Sequence, residues 1–312
     1  MSSNPTTKIL LLGAGELGTA FLPHLSSLPN TQITIAVRTP PKYTHLLSTH
    51  PNVHLLPLNT SSPSPSLSLT FSHYDIIISC TGFGQDVSVF PKLANEVLEA
   101  GKVKKKRGEG KLWFFPWQWG VDYDVTGDGE GLMPLFGKQV EVRNILRTHA
   151  KESHVKWTVL STGIFMSFLF EPFWGVVERR PDSGDVTVRA LGSWEHKVTV
   201  TYVNDIGRVL ASVVNGEVDG EDRVLYAGGD TVSYAQLADI VEGVVGKKVR
   251  REEWSIPHLK RELEEDPEDG IKKYRLVFAR DGVWWDVERT VNHKLQIPMM
   301  DVQTYVEKTF VL

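Results

Sequence analysis

The sequence predicts an α/β fold: a doubly wound parallel sheet with a smaller mixed α/β lobe at its C-terminal end. Three observations predict it. Apolar runs without polar alternation recur through the first half, helix-forming stretches separate them, and a glycine-spaced turn joins the first run to the first helix. Strands covered on both faces read as continuous apolar runs, and their alternation with helices is the pattern of a parallel sheet.

Taken in order, apolar strands are expected at 8–12, 33–37, 53–58, 75–80, 112–115 and 157–161. Between them, helices are expected at 17–25, 87–100 and 136–150, with a weaker one near 43–48. The Ser/Pro-rich stretch 60–70 reads as a flexible surface loop, and the Gly/Asp-rich stretch 122–131 as another. A basic run at 102–107 lacks interleaved aromatics and reads as a solvated loop rather than a nucleic-acid patch. Beyond Gly163 the pattern turns irregular. Phe165, Phe168, Phe170, Phe173 and Trp174 crowd one segment, and strands are expected at 186–189, 197–201 and 224–227. Asp205 reads as the N-cap of a helix over 206–214, and Ser233 as the cap of one over 234–245. The charged section 259–273 reads as a solvated helix or loop. The expected division is 1–162 for the first domain, with segments around 200–230 packing back onto it, and 163–312 for the lobe.

Composition narrows the function classes. The 312 residues are 41% hydrophobic and 23% charged, with a formal net charge of −4, which argues against a dedicated nucleic-acid binder. Cys80 is the only cysteine, so neither an intrachain disulfide nor a thiolate metal cluster can form, and no metal is expected. At the end of an apolar strand it reads as a buried, inert thiol. Neither a secretory signal nor a run of about 20 apolar residues is present. The expected location is the cytoplasm, without a membrane partner.

The glycine turn carries the chemistry. In Gly13-Ala14-Gly15-Glu16-Leu17-Gly18 the first glycine permits a tight strand-to-helix turn, the second lets the backbone approach a diphosphate, and the third lets helix pack on strand. Unpaired N–H groups at the helix start, including those of Glu16 and Leu17, favour an anion. This is the Rossmann-type dinucleotide motif. After the second strand NAD-selective sites place a carboxylate; here Arg38 and Thr39 stand instead, and a guanidinium can grip a ribose 2′-phosphate. NADP(H) is therefore the expected cofactor. Ligands of such sheets lie at the carboxyl ends of the strands. That places Thr81, Gly82, Phe83 and Gln85 after the fourth strand, Pro116 and Trp117 after the fifth, and Thr162, Gly163 and Phe165 after the sixth. Lys138, near the start of the following helix, is the catalytic candidate: a partly desolvated lysine beside a bound ribose can act as general acid or base, or hold the ribose. Trp117, Trp119, Phe165 and Met166 are the candidate substrate wall. Reductases of this fold often pair a tyrosine with a lysine four residues on, but position 134 is Pro and no tyrosine has lysine at that spacing.

These blocks resemble the NmrA-like and isoflavone-reductase-like branch of the atypical short-chain dehydrogenases. The resemblance rests on the glycine turn with Arg38, on Phe114-Phe115-Pro116-Trp117-Gln118-Trp119-Gly120, and on Lys138 to Arg143. Thr162-Gly163-Ile164-Phe165 and Val203-Asn204-Asp205-Ile206-Gly207-Arg208 extend it. It implies an NADP(H)-binding domain with a C-terminal substrate lobe, and a lysine, here Lys138, in place of the missing tyrosine. The chain departs from the family in a glycine turn one residue shorter, and in Trp117 and Trp119 where the family's loop reads Pro-Ser-Glu-Phe-Gly.

The leading expectation is an NADP(H)-dependent oxidoreductase that transfers hydride to or from an aromatic or polycyclic small molecule, in secondary metabolism. Two alternatives stay open: a non-catalytic NADP sensor that binds a protein partner, and an NADP-assisted isomerase or cyclase without net redox change. A homodimer is also left open.

Overall fold

The computed structural model describes residues 6–82, 86–180 and 182–309. Its strands are β1 (Thr7–Leu12), β2 (Thr31–Val37), β3 (Val53–Pro57), β4 (Ile76–Ser79), β5 (Leu112–Phe115), β6 (Val155–Ser161), β7 (Ile164–Phe165), β8 (Val177–Arg179), β9 (Val186–Leu191), β10 (Lys197–Thr201), β11 (Arg223–Tyr226), β12 (Asp230–Ser233) and β13 (Arg250–Trp254). The helices are α1 (Glu16–Ser26), α2 (His45–Thr49), α3 (Ser64–Phe71), α4 (Val89–Lys106), α5 (Tyr123–Thr126), α6 (Pro134–His149), α7 (Val203–Val214), α8 (Tyr234–Val245), α9 (Ile256–Glu265), α10 (Gly270–Phe278), α11 (Val291–Lys294) and α12 (Val302–Thr309). The chain forms two compact units: Met1–Gln118 with Lys138–Leu160 and Ile206–Leu225, and Trp119–Gly137 with Ser161–Asp205 and Tyr226–Leu312. The segment 119–137, read from sequence as part of the first domain, thus groups with the second.

In the first unit the seven-stranded sheet runs β3-β2-β1-β4-β5-β6-β11. The strand order reverses between β1 and β4, the place where such sheets open a crevice at their carboxyl edge. Register makes that edge level: Leu12 stands opposite Ala36 on one side and Ser79 on the other, in parallel ladders. Ile9, Leu10 and Leu11 are fully buried, as a central strand covered on both faces requires. Phe21, Leu22 and Leu25 turn one stripe of α1 into this core. At Gly207 a β-carbon would come within 2.9 Å of the Ala20 carbonyl and the His24 ring, so a side chain there would force α7 away from α1.

Three expected loops are structured. Within 60–70, α3 forms because its proline lies in the first turn, where no helical N–H is lost, and because Leu67 and Phe71, one turn apart, are both fully buried. The basic run continues α4 to Lys106; Lys104 is 3% exposed and lies 3.2 Å from both Asp75 and Glu109. Charge count hid a helical face, since one lysine of the run points inward to two carboxylates. The Gly/Asp stretch holds α5, whose first turn is capped by the Asp122 carboxylate accepting from the Asp124 N–H.

The second unit holds two three-stranded sheets, β12-β10-β7 and β13-β9-β8. Ser233 caps α8 in a full capping box with Gln236, and Gly246 ends the helix in the left-handed region at φ +68°. Asp205 is not an N-cap: α7 begins at Val203, and the Asp205 carboxylate accepts from the Met300 N–H at 2.7 Å. The charged section forms α9 and α10, with Leu259, Leu276 and Val277 as buried anchors. Trp174, fully buried, packs its ring 5.2 Å from Phe168 and 5.5 Å from Phe278; of the aromatic run it alone is core, while Phe165, Phe168 and Phe170 are half-buried and Phe173 is exposed.

Candidate nucleotide cleft and its surroundings

The cleft opens where β1, β2 and β4 end together. Gly13 follows β1 at φ +106°, a conformation that favours glycine, and its N–H donates to the Ala36 carbonyl at 3.0 Å. A β-carbon there would also strike the Thr81 methyl. At Gly18 a β-carbon would strike the Gly13 carbonyl, so the third glycine lets α1 lie on its own turn. Gly15 differs from both. It is exposed, at φ −79°, and a β-carbon there would meet nothing within 4 Å. Among the described residues no neighbouring atom accounts for a glycine at this position. It is also the N-cap of α1 without a side-chain cap, so the first-turn N–H groups, those of Glu16 and Leu17 among them, are left to another acceptor.

A cleft of ≈ 490 Å³ brings Gly13, Gly15, Arg38, Thr39 and Thr81 together. Lys42, Tyr43, Asn59, Thr60 and Ser61 share its lining, which holds no carboxylate among the described residues. Sequence reading missed this second group. The signal for Lys42 was Pro40-Pro41: the pair fixes a 3₁₀ turn over Pro40–Tyr43 that folds the chain back beside Arg38. Thr60 and Ser61 of this wall come from the stretch read as flexible, and it is held in place: Lys92 Nζ donates to the Thr60 carbonyl at 2.9 Å and to that of Ser62 at 2.7 Å. Arg38 and Lys42 are exposed, and neither side chain makes an ion pair among the described residues.

Other sequence candidates lie elsewhere. Cys80, next to Thr81, is buried, which pushes its thiol well above the usual range. The space over Gly82, expected to admit a cofactor, is filled: a β-carbon would land on the Trp117 indole, which also stacks on Phe90 at 5.2 Å and 13°. Trp117 is thus wedged between the end of β4 and the start of α4. Pro116 is buried beside it. Phe83 and Gln85 lie outside the described residues. Lys138 is half-buried, its side chain 39% exposed, and its ammonium lies 2.7 Å from Glu141 on the next turn of α6. In the second unit the Thr162 and Gly163 N–H groups both donate to the Gly120 carbonyl, at 2.8 and 3.1 Å. Gly163 (φ +69°) lies hard against the Thr199 backbone, Phe165 is half-buried, and Trp119 and Met166 are buried, Met166 completely.

Residues 5–305 match the NmrA-like family. The chain belongs to the NmrA-like family. Over 96% of its length and 97% of the relative's, it is 37% identical to an NmrA-like family domain-containing oxidoreductase of Gibberella moniliformis. Among solved structures, AtPrR2 with NADP+ and (+)-pinoresinol superposes with a TM-score of 0.74 at 17% identity, covering 98% of this chain and 99% of that one. The NADPH-dependent quinone oxidoreductase QOR2 of Escherichia coli, complexed with NADPH, gives 0.72 at 18%, covering 97% and 99%. At such identity the likeness establishes the Rossmann-type fold of this NmrA-like chain. No helix among the described residues is long and apolar enough to cross a membrane.

Proposed function

We propose that this NmrA-like protein is an NADP(H)-dependent oxidoreductase acting on an aromatic or polycyclic small molecule. The observation that carries the reading is the cleft: an open face at Gly15 over uncapped helix N–H groups, and two cations with no carboxylate at its rim. Those residues fit a dinucleotide phosphate. The N–H groups of α1 would hold the diphosphate, and Arg38 with Lys42 the 2′-phosphate. The bound nicotinamide would supply or accept the hydride. Lys138 would donate or take the accompanying proton once its ammonium swings from Glu141, and the half-buried Trp117 of the same unit would offer a ring surface to the substrate. The relative named an oxidoreductase and the NADP(H)-bound neighbours support the assignment.

One observation favours the second reading, a non-catalytic NADP(H) sensor: Lys138 is already engaged by a carboxylate of its own helix. Titration and turnover separate the possibilities. NADPH should bind more tightly than NADH at low salt, by about tenfold or more, since two exposed ion pairs are worth up to about 1 kcal/mol each; equal affinities would remove the cofactor assignment. Lys138→Ala should keep NADPH affinity and lose most turnover of a quinone acceptor such as menadione, by about 10²-fold or more. Full turnover in that variant would remove Lys138 from the chemistry.

A further inference from the structure

Between Trp117 and Trp119 stands Gln118, whose side chain is 1% exposed. Its Nε2 donates to the Gln139 carbonyl at 2.9 Å, and its Oε1 accepts from Arg143 Nε at 2.7 Å. Gln139 and Arg143 are 1% and 0% exposed and stand one helical turn apart, so a single carboxamide spans one turn of α6. The turn it spans begins next to Lys138. Only one orientation of the amide works, because the flipped form would set donor against guanidinium and acceptor against carbonyl.

We propose that Gln118 is a positioning residue: its buried amide clips the loop after β5 to the first turns of α6 and so sets where Lys138 stands relative to Trp117. The proposal rests on the reading of Lys138 given above. The chemistry demands an amide. A carboxylate would keep the Arg143 contact but face the Gln139 carbonyl with a second acceptor, and a thioether would lose both bonds. Trp117 is fixed independently by Phe90 and Gly82, so the loop is rigid up to Gln118 and the bridge passes that rigidity to the helix. A misplacement of about 1 Å in such a constellation can cost 10²-fold in rate.

The test uses the full chain with saturating NADPH and three variants, Gln118→Met, Gln118→Glu and Lys138→Ala. In Gln118→Met, backbone amides of 112–118 and 138–143 should exchange faster together, by about tenfold or more, while those of β1 and α1 stay at wild-type rates. That factor corresponds to the loss of a buried hydrogen-bonded group. Gln118→Glu should keep a higher thermal midpoint than Gln118→Met through its Arg143 contact, yet still show faster exchange at 138–143 and lower turnover with menadione than the wild type. A merely structural role would move stability and turnover together. Wild-type exchange at 138–143 in both Gln118 variants, or a Gln118→Glu protein with wild-type exchange and turnover, overturns the proposal. Turnover of Lys138→Ala tests the Lys138 reading by itself; the exchange result decides the bridge whatever that variant does.

Discussion

Three glycines of one motif have three different physical reasons, and only one of them points to a ligand. Gly13 is required by its φ of +106° and by Thr81, and Gly18 by the carbonyl of Gly13; Gly15 answers to neither backbone strain nor crowding. Alanine should therefore separate folding from binding. Gly18→Ala must push α1 off its turn, and overpacking of that kind costs about 1–3 kcal/mol, visible as a lower denaturation midpoint. Gly15→Ala should cost no more than about 1 kcal/mol, the difference between glycine and alanine at an N-cap, but should weaken NADPH by about tenfold or more by filling the space over the helix N–H groups. NADPH affinity unchanged in Gly15→Ala would mean that the diphosphate lies elsewhere. At this scale the motif and Arg38 were readable because glycine spacing and a missing acidic residue are local facts. Lys42 and the 59–61 wall were not, because they reach the cleft through a proline-fixed turn and a lysine on α4.

Elements were legible where one apolar stripe or one cap decides them, as in β1, β5 and α8. They were misread where composition masked a short stripe. Two buried side chains suffice to make α3 a helix in a run of serines and prolines, and one buried lysine extends α4 through a basic run. The charged section that became α10 shows what sets such a boundary. Asp269 caps it, its Oδ1 accepting from the N–H groups of Ile271 at 2.7 Å and Lys272 at 3.1 Å. The bond from Lys272 is the largest influence and holds the carboxyl below its ordinary value against slight desolvation, with the Ile271 bond adding to it. A depressed carboxyl contributes stability that is present above the unfolded value near 3.9 and is lost as pH falls through the folded value. Asp269→Ala should cost about 1 kcal/mol at neutral pH and less than that in acid. Asp269→Asn should keep the cap while flattening the acid limb of the stability curve below about pH 4. An unchanged limb in Asp269→Asn would assign the acid dependence to other carboxylates.

Across the whole molecule the charge is unevenly placed. The chain carries a formal −4, yet among the described residues the cleft rim holds Arg38 and Lys42 without a carboxylate, so the polyanion proposed for this cleft would meet a cationic site on an anionic protein. Such an arrangement favours association at low salt and loses that advantage as counterions screen it. NADH and NADPH share a diphosphate and differ in the 2′-phosphate, so the difference between their salt dependences isolates the third phosphate. An exposed ion pair is worth up to about 1 kcal/mol, and two of them allow roughly a 30-fold preference at low ionic strength. The Debye length falls to about 3 Å at 1 M salt, where most of that preference should disappear. The dissociation constant of NADPH should therefore rise more steeply with salt than that of NADH, and Arg38→Ala should bring the two slopes together. Parallel slopes in the wild-type protein would show that neither Arg38 nor Lys42 meets the 2′-phosphate, and selectivity would then have to come from the uncharged wall of Asn59, Thr60 and Ser61.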